Sequence, residues 1–74
     1  MIMEICKNIN TGQVFVHLDE QENNQALMIT PQGIVKALEY DLFSEPVEVE
    51  DKDALEQGEI NATQYKIYNQ YREN

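Results

Sequence analysis

Two strand-like runs, Ala26-Leu27-Met28-Ile29-Thr30 and Ile34-Val35-Lys36-Ala37-Leu38, flank Pro31-Gln32-Gly33 and constrain the fold more than any other stretch. Pro31 presets φ for the first central position of a type I turn, and Gly33 can take the positive φ that closes a three-residue hairpin loop. Pairing Thr30 with Ile34 sets Ile29 opposite Val35 and Leu27 opposite Ala37 on one side of the ribbon. The other side carries Ala26, Met28, Thr30, Ile34, Lys36, Leu38 and Tyr40. Both sides are rich in apolar groups, so a second layer is required: either the sheet closes on itself or a helix lies across it. These two strands are expected at the centre of the sheet.

The remaining segments are arranged around this hairpin. Residues 2–7 read as a strand, Asn10-Thr11-Gly12 as a turn, and residues 13–18 as a second strand in which Val14, Val16 and Leu18 alternate with Gln13, Phe15 and His17. Residues 19–24 are polar throughout and predict an exposed loop. Leu42 and Phe43 sit in a turn-like stretch and predict a bend, and Val47 and Val49, alternating with Glu48 and Glu50, predict a short edge strand. After Glu50 the period lengthens to that of a helix. Asp51 suits an N-cap for a short helix ending near Gln57, with Gly58 as its C-terminal stop. Asn61 and Gln64 form a capping box for a longer helix, Ile60 and Tyr65 a hydrophobic staple, and Ile67, Tyr68 and Tyr71 its apolar face.

The expected architecture is therefore α+β. It is one small domain over residues 1–74, with antiparallel strands in 1–50, a helical segment in 51–71 and a frayed tail in 72–74. About five strands fit either a small antiparallel sheet or an SH3-like barrel. A chain of 74 residues has room for one core only. A single cysteine, Cys6, excludes an internal disulfide, and without a Cys/His cluster there is no structural zinc site. No signal-peptide pattern and no spanning apolar run is visible, and the expectation is a cytoplasmic protein.

Few residues suggest catalysis. Cys6 and His17 are the one candidate nucleophile and base, yet the turn at residues 10–12 brings Cys6 closer to Val14 than to His17, and no oxyanion loop accompanies them. An EF-hand loop begun at Asp51 would need an oxygen ligand where Leu55 stands, glycine at Glu56 and glutamate at Ala62. Gly12, Gly33 and Gly58 are isolated, so no phosphate loop is present. Tyr65, Tyr68 and Tyr71 read as core packing, since a base-stacking platform needs more cations than Lys66 and Arg72. The sequence thus predicts no enzyme, no cofactor and no metal.

Charge is the remaining signal. Fourteen acids against five bases give a formal charge of -9, which repels nucleic acid and anionic membranes. Nine of the fourteen acids fall between Glu39 and Glu59, against Lys52 alone. Glu45, Glu48, Glu50, Asp51, Asp53 and Glu56 are the candidate protein-binding residues, and a basic protein surface is the expected partner. Two alternatives accompany that reading. Carboxylates could imitate DNA phosphates and block a nucleic-acid-binding protein, or the chain could be a structural subunit whose acids serve solubility. An uncovered sheet face or edge would favour a homodimer.

Overall fold

In the computed structural model, which describes residues 1–73, the chain forms an open five-stranded antiparallel sheet and two helices. The strands are β1 (Ile2–Lys7), β2 (Val14–Gln21), β3 (Gln25–Ile29), β4 (Val35–Glu39) and β5 (Val47–Glu50), followed by α1 (Asp51–Glu56) and α2 (Ala62–Glu73). Their order across the sheet is β4-β3-β2-β1-β5. The sheet does not close, so of the two expected architectures the open sheet is the one formed. β3 is interior as expected, but β4 is an edge, because β1 pairs with β2 on one side and β5 on the other and no strand remains to cover β4.

The hairpin around Pro31 has the expected register, with Ile29 opposite Val35 and Leu27 opposite Ala37. Gly33 takes φ of +86° and donates its N–H to the Thr30 carbonyl at 2.8 Å. The loop expected over residues 19–24 is shorter. β2 runs on to Gln21 through a bulge at Leu18, and only then do Asn23 and Asn24, both with positive φ, turn the chain into β3. Asparagine tolerates that conformation better than most residues, so a polar ribbon can extend beyond the core before it reverses.

Each sheet face has its own cover. Met3, Ile5, Val16 and Ile29 pack with Ala54, Ile60 and Tyr68 from the helical segment. On the opposite face Cys6, Phe15, Ala26 and Met28 pack with Phe43, whose ring meets Phe15 edge-on at 4.9 Å between centroids. Of the two covers expected, closure of the sheet and a helix laid across it, only the helix is found. It supplies half, and the crossover from β4 to β5, with a 3-10 turn at Tyr40–Leu42, supplies the rest.

α2 starts where the capping box predicts. The Asn61 side chain accepts from Gln64 N–H at 2.8 Å and the Gln64 side chain accepts from Asn61 N–H at 3.1 Å. Asn61 also donates to the Pro31 carbonyl at 2.8 Å, fastening the hairpin tip to the helix. The helix continues through Arg72 and Glu73, two positions of the expected tail, while Asn74 lies outside the described residues. α1 is capped by Glu50, whose side chain accepts from Lys52 N–H, so Asp51 is the first helical residue and not the cap. No helix among the described residues is long and apolar enough to cross a membrane.

Candidate functional site

The six acids singled out in the sequence separate into three groups. Glu50 and Asp51 are committed to the fold: Glu50 caps α1, both carboxylates meet the N-terminal ammonium, and Asp51 is only 2% exposed. Burial alone would raise the Asp51 carboxyl. The Lys52 N–H, the ammonium and Glu50 together outweigh it and hold the group below its usual value. Asp53 and Glu56 are exposed on α1, in the layer that covers the Ile29 face. Glu48 sits directly opposite Glu4 across the β1–β5 ladder, while its neighbour Val49 packs against the helix-side core. Glu48 and Glu4 therefore share the other face of the sheet, because side chains alternate along a strand.

Glu45 joins them on that face. Together with Glu4, Glu20, His17, Tyr40 and Phe43 it lines an open cleft of about 430 Å³. Glu20 reaches it because its β3 partner is Ala26, a member of the Phe15–Phe43 core. Carboxylates from β1, β2 and the crossover thus converge where the crossover bridges the sheet.

The inner wall of the cleft carries a polar string that the sequence did not disclose. His17, 7% exposed, stands opposite Glu4 in the β1–β2 ladder. Its Nδ1 lies 3.2 Å from Glu4 Oε1 and its Nε2 2.9 Å from the Tyr40 hydroxyl. Desolvation and then the Glu20 carboxylate push the Tyr40 phenol above its ordinary value, so the hydroxyl is a neutral hydrogen-bonding group here. The turn at residues 10–12 locates the hairpin but not its register: a three-residue loop there would set Glu4 against Leu18, whereas the Asn8 N–H bonds the Gln13 carbonyl across a four-residue loop and sets Glu4 against His17. Tyr40 could not be placed either, because it arrives by a non-local crossover.

Cys6 and His17 do not form a nucleophile and base. Cys6 is opposite Phe15, and its thiol donates to the Met28 sulfur at 3.7 Å. Burial, with Glu4 nearby, pushes the thiol up to about 11, far from an active thiolate. Among the described residues no cluster of histidine, cysteine and carboxylate is arranged to hold a metal ion. The tyrosines of α2 divide: Tyr68 is buried, with its hydroxyl donating to the Ile2 carbonyl at 3.3 Å, whereas Tyr71 is 39% exposed.

No protein-family model matches the chain, and no curated protein or solved structure is found to be similar to it.

Proposed function

We propose that the chain is a small non-enzymatic protein-binding or regulatory domain that engages a basic surface of its partner through carboxylates on the sheet face beside the β4–β5 crossover, Glu45 and Glu48 foremost, with Glu4 and Glu20 beside them. The observation that carries this reading is the state of the charges. Among the described residues the carboxylate ion pairs go to the N-terminal ammonium and to His17, and none goes to Lys7, Lys36, Lys52, Lys66 or Arg72. No basic side chain thus neutralises these carboxylates by direct contact, the chain as a whole carries a formal charge of -9, and a convergent set of carboxylates steers association with a basic surface. A reducing, cytoplasmic setting suits the lone buried thiol of Cys6.

The alternative of a DNA mimic gains no specific observation, since Glu45 and Glu48 lie on one sheet face while Asp53 and Glu56 lie on the helix over the other. Self-association would use the β4 edge, where Ile34 and Val35 are exposed, although Lys36 in mid-strand opposes edge pairing. The test is a titration of ¹⁵N-labelled protein with an arginine-rich peptide. Saturable, salt-sensitive amide shifts confined to β1, the Glu20 end of β2, β5 and residues 44–46 are expected. Weak shifts spread evenly over every surface carboxylate would contradict the proposal.

A further inference from the structure

The two edges of the sheet are not equivalent. β5 has four residues, follows Pro46 and turns into α1 at Glu50. The Asp51 N–H bonds the Met1 carbonyl, so the outward backbone groups of β5 fall at Glu48 and Glu50. β4 has five residues in unbroken register with β3, without bulge or proline. At its ends the Ile34 carbonyl accepts from Thr30 N–H and the Tyr40 N–H donates to the Asn24 carbonyl. Backbone direction alternates along a strand, so Lys36 and Leu38 bond β3 while Val35, Ala37 and Glu39 turn their N–H groups outward. No group among the described residues bonds those three amides.

Side chains decide what a sixth strand must carry. Val35 and Ala37 share the helix side of the sheet with their partners Ile29 and Leu27, and Glu39 follows by alternation, while Lys36 and Leu38 share the crossover side with Met28 and Ala26. An antiparallel segment laid along β4 meets Glu39, Leu38, Ala37, Lys36 and Val35 in that order. Facing side chains on neighbouring strands attract when oppositely charged and repel when alike. The complement, read from its N-terminus, is a cation, two apolar residues, a carboxylate and an apolar residue.

We propose that the β4 edge is a docking site for an extended segment of another protein with this charge order, bound by strand addition. A second copy of this chain does not fit. Facing side chains share a sheet face, so two-fold antiparallel pairing of β4 with itself sets odd-numbered residues against odd and even against even, and Lys36 never meets Glu39. Such pairing also joins two chains of formal charge -9. Lys36, which discourages indiscriminate edge pairing, here selects the carboxylate of the incoming strand. The edge is separate from the acidic cleft, because Glu39 lies on the helix side of the sheet and Glu45 and Glu48 lie on the other.

Two end-capped peptides of identical composition, Ser-Arg-Val-Val-Glu-Val-Ser and its charge-exchanged form Ser-Glu-Val-Val-Arg-Val-Ser, test it by titration into ¹⁵N-labelled protein. The first should bind saturably. The outward amides of Val35, Ala37 and Glu39 should shift and gain exchange protection, while those of Lys36 and Leu38, already bonded to β3, gain little. The second peptide should bind at least about fivefold more weakly. Lys36→Glu combined with Glu39→Lys should reverse the order of the two peptides. Ala37→Pro removes one outward donor at an edge position that tolerates proline, and should abolish binding. Absence of binding, equal affinity for the two peptides, an unreversed order in the exchanged variant or shifts centred away from β4 would overturn the proposal. So would protection of the outward amides that rises with protein concentration alone, since a second copy would then occupy the edge.

Discussion

Gln64 of α2 donates its side-chain amide to the Val14 carbonyl of β2 at 2.9 Å, across fifty residues of sequence, while the same side chain caps its own helix through Asn61. It is 2% exposed and also lies 3.4 Å from the Ile29 carbonyl. One amide therefore closes the helix start and satisfies the backbone of two strands, so the helix has a fixed position on the sheet.

Replacement of Gln64 by alanine is expected to destabilise the fold by about 2–4 kcal/mol, since it removes a cap and leaves a strand carbonyl unsatisfied. Gln64→Glu should be comparably harmful. It keeps the oxygen that accepts from Asn61 and turns the strand-facing donor into an acceptor. Urea unfolding of the two variants checks both.

At the hairpin tip, a Cβ added to Gly33 would lie 2.5 Å from Cγ2 of Thr63, and the backbone there has φ of +86°. Gly33→Ala should therefore cost more than the roughly 1–2 kcal/mol of the left-handed conformation alone. Combining it with Thr63→Ser removes the clashing methyl, and the double variant should recover the steric part and not the backbone part. A thermodynamic cycle measures the difference.

These features differ in how far they were legible. The capping box, the first strand and the hairpin register depend on residues adjacent in sequence, and all three are found. The extension of β2 through Asp19, Glu20 and Gln21 was not legible, because its polar side chains carry no strand periodicity and the turn that permits it rests on two asparagines further on. The acidic stretch was visible as composition, but its division was not. Glu50 and Asp51 turn inward because the chain switches there from strand to helix, and adjacent carboxylates thereby acquire different tasks. The Glu4–His17 pairing was missed because the first turn is one residue longer than Asn10-Thr11-Gly12 and a one-residue slip changes every partner, and Tyr40 depended on how the crossover folds back.

The lowered Asp51 carboxyl ties stability to acid. A group held below its unfolded value contributes stability that is present above the unfolded value of about 3.9 and is lost as pH falls through the folded one. Asp51→Asn should therefore be less stable than the parent at pH 7, and the two should converge as pH falls below about 4. Thermal melts across that range check the convergence.

The raised thiol of Cys6, at about 11, predicts chemical inertness in the folded state. At pH 7.5 iodoacetamide should modify it at least about a hundredfold more slowly than in denaturant, where an ordinary thiol near 8.5 is exposed. Mass spectrometry of timed samples gives the ratio.

The most direct test of the acidic-face proposal compares two double charge reversals that alter net charge equally. Glu45→Lys with Glu48→Lys changes the sheet face, and Asp53→Lys with Glu56→Lys changes α1. Calorimetric titration with the same arginine-rich peptide at matched ionic strength should show a loss of about tenfold or more for the first pair and about twofold or less for the second. Equal losses from both pairs, or no loss from the first, would contradict the account.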